Sequence, residues 1–133
     1  MYLLDTNACI RLLNGTSPPL AEALARHDPA QTYLCSIVKA ELLFGARHSA
    51  RIAENLGLLT RFFEPFPSLP FDDRCAEHYG AIRADLAREG SPIGPNDLLI
   101  AATARAHAVT LVTHNTREFS RVAGLRIADW EQA

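Results

Sequence analysis

The sequence contains no apolar run near the roughly 20 residues that a membrane-crossing helix needs. Its first residues also lack the basic region and the long apolar stretch of a secretory signal. We therefore expect a cytoplasmic protein that has no membrane partner.

Paired cysteines are absent as well. Cys9, Cys35 and Cys75 stand apart in the sequence, which argues against a disulfide framework and against a cysteine-rich zinc site. We interpret all three as small buried hydrophobic residues.

An excess of positive charge is the third feature that the sequence lacks. The formal net charge is −2, and only one of the thirteen basic residues, Lys39, is a lysine. Proteins that hold nucleic acid by bulk electrostatics are usually strongly basic. If this protein acts on RNA, the attraction must come from a local arrangement of charges.

Length and hydrophobic patterning predict the fold. The 133 residues, of which 48% are hydrophobic and 21% charged, suit one globular domain over residues 1–133. Short apolar runs at residues 2–5, 32–35 and 109–112 predict buried strands, and residues 125–127 predict a last one. Helical segments separate the strands, so we expect right-handed crossovers. The predicted fold is a three-layer α/β/α sandwich with a mostly parallel sheet of four or five strands.

Helical periodicity is clear in the middle of the chain. Ile52, Leu56, Leu59 and Phe63 form one apolar face. The proline-rich segment 65–70 that follows predicts a break. We expect this face to be partly exposed, with most of it in the core.

Asp5 and Glu41 are carboxylates that a structural role explains only in part. Asp5 ends the first predicted strand, at the edge where open α/β sheets bind ligands, although it could instead cap the next helix. Glu41 shares a face of a predicted helix, residues 37–48, with Ile37 and Phe44. A buried carboxylate without a partner costs several kcal/mol, so this position requires a cation, a proton or an ion-pair partner. A place at the margin of the apolar face is the alternative.

Asp97 shows the same pattern on a later predicted helix. Asn96 is the predicted N-cap, and Ile100, Ala101 and Ala104 continue the face of Asp97. A favourable interaction with the helix dipole is a sufficient structural reason for this aspartate.

Asp5, Glu41 and Asp97 are more informative as a group than singly, because all three could meet at one end of the sheet. Close carboxylates repel one another unless a divalent cation joins them, and ligands that are all oxygen suit Mg²⁺ or Mn²⁺. Thr113 and Asn115 follow the strand at 109–112 and could orient a water or a phosphate at the same edge. Thr6 could hydrogen-bond the carboxylate of Asp5 or a substrate, or simply cap the first helix.

Four ordered blocks of the chain resemble those of the PIN-domain nucleases, and among these the VapC-type toxins of type II toxin–antitoxin systems. The blocks are LLDTN at 3–7, VKAEL at 38–42, PIGPNDLLIAA at 92–102, and LVTHNTREF at 111–119 followed by GLRIADW at 124–130. The likeness runs from residue 2 to residue 130.

The resemblance implies a Mg²⁺- or Mn²⁺-dependent endoribonuclease that forms a homodimer and is inhibited by a small antitoxin. It maps the three acids of the family onto Asp5, Glu41 and Asp97. Many family members carry a fourth acid where this chain has Asn115, and this departure leaves a tightly held second metal ion without support.

The corresponding mechanistic hypothesis is that one Mg²⁺ polarises a scissile phosphate and lowers the pKa of an attacking water. Arg117 and Arg121 are the leading candidates for contacts with the RNA backbone. An antitoxin would inhibit by inserting an Arg or Lys into the acidic pocket, with an apolar segment docked in a groove between helices.

Other functions fit the sequence less well. A haloacid-dehalogenase-like phosphatase needs a second acid two residues after the first, where this chain has Asn7. A response-regulator-like receiver needs a lysine late in the sheet, yet the single lysine is Lys39. A PIN-like scaffold that binds RNA or protein without cleavage remains an alternative, against which the intact set of three acids counts.

Overall fold

The computed structural model describes residues 1–132, within which five short strands form one sheet. The strands are β1 (Tyr2–Leu4), β2 (Thr32–Cys35), β3 (Ser68–Leu69), β4 (Thr110–Val112) and β5 (Ile127–Ala128). The same part of the chain forms seven α-helices. They are α1 (Thr6–Asn14), α2 (Pro18–Ala25), α3 (Ser36–Arg47), α4 (Ile52–Phe63), α5 (Asp73–Glu89), α6 (Pro95–Ala106) and α7 (Thr116–Phe119).

The sheet is parallel throughout, and its strand order is β3-β2-β1-β4-β5. Parallel neighbours require crossover connections, which the helices supply, so the predicted fold class is confirmed. The central strand β1 pairs with β2 on one side and with β4 on the other. The carboxyl ends of these three strands therefore lie side by side, at the edge where open α/β sheets bind ligands.

Segment 65–70 differs from its prediction as a simple break. Within it, Ser68–Leu69 pair in parallel with Leu34 and Cys35, and the Leu34 backbone N–H donates to the Pro67 carbonyl at 3.0 Å. Prolines that flank an edge strand remove only donors that the sheet does not use. The last strand also lies slightly later than predicted, at Ile127–Ala128 rather than at 125–127.

The core lies around the central strands and α6. Leu3, Leu34 and Leu111 are fully buried on adjacent strands. Helix α6 is buried on most of its circumference, and its small residues allow close packing against neighbouring elements. Burial begins at Leu98, the residue after Asp97, so Asp97 lies where α6 enters the core. Within residues 1–132, no helix has both the length and the apolar character needed to cross a membrane.

Candidate active site

Asp5 lies at the carboxyl end of β1 and is both a helix cap and a buried acid. Its carboxylate oxygen Oδ1 accepts a 2.8 Å hydrogen bond from the Ala8 backbone N–H, and its side chain caps α1. The Thr113 side chain, which follows β4, also hydrogen-bonds this carboxylate. Asp5 is only 3% exposed. Burial raises the pKa of Asp5 despite the opposing effect of the hydrogen bonds from Thr113 and Ala8.

Glu41 lies in the middle of α3 and is tied to the start of α1. The Thr6 hydroxyl donates a 2.6 Å hydrogen bond to Glu41 Oε1. The bond does not involve Glu41 Oε2. It connects α1, which follows β1, with α3, which follows the neighbouring strand β2. The sequence offered three roles for Thr6, which were a hydrogen bond to Asp5, a contact with a substrate and a cap of the first helix. In the structure its hydroxyl instead donates to Glu41.

The prediction for the buried face of α3 was wrong. Val38, Leu42 and Ala46 form the buried face, at spacings of four residues. Phe44 is 68% exposed, and with Ile37 and Glu41 it lines an open cavity of about 470 Å³. Glu41 is therefore partly exposed at the margin of the core, so its burial alone does not require a cation.

Asp97 lies in the first turn of α6, facing the other acids. The helix begins at Pro95 after a Gly94 cap, so the prediction that Asn96 is the N-cap was wrong. Proline at the first helical position has a backbone angle that suits the start of a helix. Burial and the negative charges of Asp5, Glu118 and Glu41 raise the pKa of Asp97 from 3.8 to about 6. Each of these causes opposes the ionisation of Asp97, as expected where buried carboxylates lie close together.

Glu118 is a fourth acid that sequence analysis missed. It lies in α7, and its Oε2 accepts a 2.9 Å hydrogen bond from the Asn115 side-chain amide. The Asn115 backbone N–H in turn donates to the Thr113 hydroxyl at 3.0 Å. The signal was present, because Glu118 is one helical turn beyond Asn115 in a block that already supplied two candidate residues.

The acids are not neutralised by basic side chains. Within residues 1–132, none of Asp5, Glu41, Asp97 and Glu118 forms an ion pair with a lysine, arginine or histidine. Their oxygens are nevertheless more widely spaced than in a closed metal site. Among the described residues, the carboxylate oxygens of Asp5, Glu41 and Asp97 do not all lie within 4.8 Å of one another.

A second polar group lies beside Asp5, after β4 and β5. Arg11 forms a 2.8 Å ion pair with Glu131, and His114 Nδ1 lies 2.9 Å from Asp129 Oδ2. Glu131 contributes to the raised pKa of Asp5 after burial, the principal cause. These acids already have partners, so we assign them to the rim of the site.

The two candidate RNA-binding arginines differ in their surroundings. Arg117 is exposed on α7. Arg121 Nη1 donates a 3.1 Å hydrogen bond to the Pro92 carbonyl, which lies in the loop before α6. Arg117 is therefore the freer of the two to meet a substrate.

An apolar groove leads to the acids. Its volume is about 380 Å³, and it lies between α1, α3 and α4, with Ile10, Leu13, Leu58 and Leu59 among its lining residues and Glu41 also on its wall. Of the predicted apolar face of α4, Leu59 is buried and Ile52 is exposed, while Leu56 and Phe63 are partly buried. The partial exposure expected for this face is present at Ile52.

The donor set fits a hard divalent cation. Four carboxylates and the neutral oxygens of Thr113 and Asn115 are the ligands that Mg²⁺ or Mn²⁺ prefers. A bound cation would also offset the mutual repulsion that, after burial, contributes to the raised pKa of Asp97.

Comparison with known proteins gives a consistent result. The PIN domain family matches residues 2–125. The tRNA(fMet)-specific endonuclease VapC of Shigella flexneri is 40% identical over 131 residues, which are 97% of each protein. Ribonuclease VapC2 of Rickettsia felis is 36% identical over 135 residues, which are 99% of each.

Solved structures that are similar to this chain also include VapBC proteins. VapBC2 from Rickettsia felis, bound to a DNA fragment from its promoter, has a TM-score of 0.91 and 35% identity, covering 97% of this chain and 98% of that one. DNA-bound VapBC from Salmonella typhimurium also has a TM-score of 0.91, with 37% identity and 97% coverage of each chain.

Proposed function

Because this chain belongs to the PIN-domain family, we propose that it is a metal-dependent endoribonuclease acting as the toxin of a toxin–antitoxin pair. Asp5, Glu41 and Asp97 hold Mg²⁺, for which Mn²⁺ can substitute. The observation that carries the proposal is the position of the partly buried Asp97, which has three further carboxylates around it, those of Asp5, Glu41 and Glu118. The match over residues 2–125 also supports one nuclease domain for the chain.

The hydrogen bonds around the acids support this role. Ala8 and Thr113 fix the orientation of Asp5, and Thr6 fixes that of Glu41. The chemistry that a bound divalent ion supplies is the polarisation of a phosphate oxygen and a lower pKa for an attacking water.

Glu118 supplies a further carboxylate, which Asn115 orients through its side-chain amide. We propose that Glu118, rather than Asn115, takes the part of the fourth acid. Asn115 and Thr113 remain the candidates for orienting water or phosphate, and Arg117 for contacting the RNA backbone.

The names of the relatives suggest the first substrate to test. Two of them, from Shigella flexneri and Salmonella typhimurium, are named tRNA(fMet)-specific endonucleases. We therefore propose tRNA(fMet) as the first candidate substrate. The test is to sequence RNA 5′ ends after expression of the wild-type chain and of Asp5→Asn. New ends in the wild type that vanish in Asp5→Asn support the nuclease, and unchanged ends in both contradict it.

Assays with purified protein and RNA distinguish the enzyme from a non-catalytic scaffold. The enzyme cleaves RNA only with Mg²⁺ or Mn²⁺ present, and calorimetry detects Mg²⁺ binding that Asp97→Asn weakens. A scaffold retains RNA on a filter but releases no fragments under any metal condition.

The antitoxin is proposed to dock in the groove between α1, α3 and α4. Ile10, Leu13 and Leu58 are exposed apolar residues on its wall, and Glu41 connects it to the acids. An apolar segment of the partner would fill the groove while an Arg or Lys reached the carboxylates.

Leu58→Asp tests this docking, because Leu58 is 44% exposed and its replacement leaves the core intact. We expect weaker binding of the partner encoded beside this chain, measured by calorimetry, with full ribonuclease activity. Arg61→Asp, on the same helix but outside the groove lining, is the matched control. Equal affinity in all three proteins would place the partner elsewhere.

We also propose a homodimer, as the family resemblance implies. Sedimentation equilibrium of the purified chain measures its oligomeric state, and a monomer at micromolar concentration would contradict this part of the proposal.

A further inference from the structure

Three side chains of different chemistry meet where α5 begins and α6 ends. Asp72 precedes α5, Cys75 lies in its first turn, and His107 follows α6. The carboxylate oxygen, the thiol sulfur and the imidazole nitrogen all lie within 4.8 Å of one another. We propose that Asp72, Cys75 and His107 bind one Zn²⁺ ion.

The spacing of the three atoms allows coordination after a small closure. Atoms that are no more than 4.8 Å apart all lie within about 2.8 Å of a common point. Zinc prefers distances of about 2.3 Å to sulfur and about 2.0–2.2 Å to nitrogen or oxygen. Each ligand atom therefore moves by well under an ångström, which rotation of the exposed Asp72 side chain and the partly exposed His107 side chain can supply.

The ligand types select zinc over the cation of the acidic site. A thiolate and an imidazole are soft or intermediate ligands, whereas Mg²⁺ takes oxygen almost exclusively. One thiolate, one carboxylate and one neutral imidazole also balance the two positive charges of Zn²⁺. The bound site is therefore neutral, in contrast to the acidic site, where Asp97 has three further carboxylates around it.

Hydrogen bonds already hold two of the ligands around one carbonyl group. Cys75 Sγ donates to the Pro70 carbonyl oxygen at 3.6 Å, and His107 Nε2 lies 3.2 Å from the same oxygen. This oxygen and solvent water are the nearest candidates for a fourth ligand. Asp72 Oδ1 accepts from the Cys75 backbone N–H at 3.1 Å, which leaves the other carboxylate oxygen for the metal.

Zinc binding has a defined proton balance. Burial raises the pKa of the Cys75 thiol, so the metal-free protein carries the S–H form at neutral pH. Formation of the Zn–S bond releases that proton to solvent, and the proton on His107 Nε2 moves to Nδ1 so that Nε2 can coordinate. Position near a helix N-terminus stabilises the resulting thiolate.

The site is remote from the acids. His107 and Asp97 are ten residues apart along α6, about 15 Å at the helical rise of 1.5 Å per residue. Zinc would tie the segment between β3 and α5 to the end of α6, and would stabilise the fold by binding only the native state.

The test is a Co²⁺ titration of the full chain in excess Mg²⁺, followed by displacement with Zn²⁺. We expect one Co²⁺ per chain, with a thiolate-to-cobalt charge-transfer band and the visible bands of tetrahedral cobalt. Cys75→Ser should lose the charge-transfer band. His107→Gln should weaken the affinity by more than about 100-fold, beyond the effect of an outer-shell change.

Two controls separate this site from the acidic one. Cys9→Ala and Asp5→Asn should keep the cobalt spectrum, because neither residue belongs to the proposed zinc site. Cys9 lies near the acidic site, where it interacts electrostatically with Asp5. Zn²⁺ should raise the melting temperature of the wild type but not of His107→Gln, whose partly exposed side chain can be replaced without disrupting the core. A wild type without a charge-transfer band, or an unchanged band in Cys75→Ser, overturns the proposal.

Discussion

At the scale of single residues, Asp5 combines two functions that its sequence context presented as alternatives. It caps α1 through a hydrogen bond from the Ala8 backbone N–H, and it lies among the acids of the candidate site. The two functions can be separated by substitution, because asparagine caps helices as well as aspartate but carries no charge.

We therefore predict that Asp5→Asn abolishes cleavage without lowering the melting temperature. Asp5→Ala should also be inactive, but it loses the cap and should unfold with a free energy lower by about 1 kcal/mol. Denaturant unfolding of the metal-free proteins, with RNA cleavage measured in parallel, compares them. Equal stability of the two variants would show that the cap contributes little.

The raised pKa of Asp97 leads to a second prediction at the scale of residues, which concerns how the free energy of unfolding depends on pH. The folded protein binds a proton at Asp97 more tightly than the unfolded chain does, since the pKa is about 6 when folded and near 3.8 otherwise. Stability from this group is therefore present at low pH and is lost as pH rises from about 4 to 6.

The loss should be of the order of 1 kcal/mol, since solvent screens a half-buried group. Unfolding of the metal-free wild type and of Asp97→Asn at several pH values measures the difference between them. The gap between the two curves should widen from about pH 4 to about pH 6 and then stay constant, and curves that are parallel over that interval would contradict the assignment. Mg²⁺ affinity should rise over the same interval, because the ion displaces a proton.

At the scale of secondary-structure elements, some features were predictable from the sequence and others were not. The strands beside the site follow from apolar runs, because burial on both faces removes polar residues from them. Strand β3 is two residues long and lies among prolines, so it has no periodicity of its own to detect. The face of α3 was assigned wrongly because Ile37 and Phe44 are as apolar as Val38 and Leu42. Only the packing of neighbouring helices decides which set is buried.

The link between α1 and α3 yields a prediction at this scale. Thr6→Val keeps the size of the side chain but removes the hydrogen bond to Glu41 Oε1. We expect Mg²⁺ affinity and cleavage to fall by about tenfold, as for loss of an outer-shell partner. Thr6→Ser retains the hydroxyl and is the matched control. Calorimetry with Mg²⁺ measures the change, and equal affinity in both variants would show that Glu41 needs no orientation by Thr6.

Helix α4 provides a matched pair for stability. Leu59 is 5% exposed, and Leu58 beside it is 44% exposed. Leu59→Ala should lower the free energy of unfolding by about 2–5 kcal/mol. Leu58→Ala should change it by less than about 0.5 kcal/mol, as is usual for surface positions. Guanidinium unfolding curves compare the two, and similar losses would mean that the outer face of α4 also packs.

At the scale of the whole molecule, the fold and its acids could be anticipated because parallel topology brings distant strand ends to one edge. Asp5 and Thr113 follow adjacent strands, so their contact is a consequence of strand order. The cluster of Asp72, Cys75 and His107 has no such basis. Asp72 and Cys75 follow the short strand β3, which the sequence did not predict, and His107 comes 32 positions after Cys75 with nothing in the sequence to connect them.

In the proposed function, the position of Glu41 on the wall of the apolar groove and among the acids would couple two binding events, those of the antitoxin and of Mg²⁺. A ligand at either place changes the environment of one shared carboxylate, so neither equilibrium constant is independent of the other. Thermodynamic reciprocity then applies: if Mg²⁺ weakens the hold on an inhibitory protein by some factor, that protein weakens the hold on Mg²⁺ by the same factor. On that proposal, the concentration of magnesium would set how readily the nuclease escapes its inhibitor.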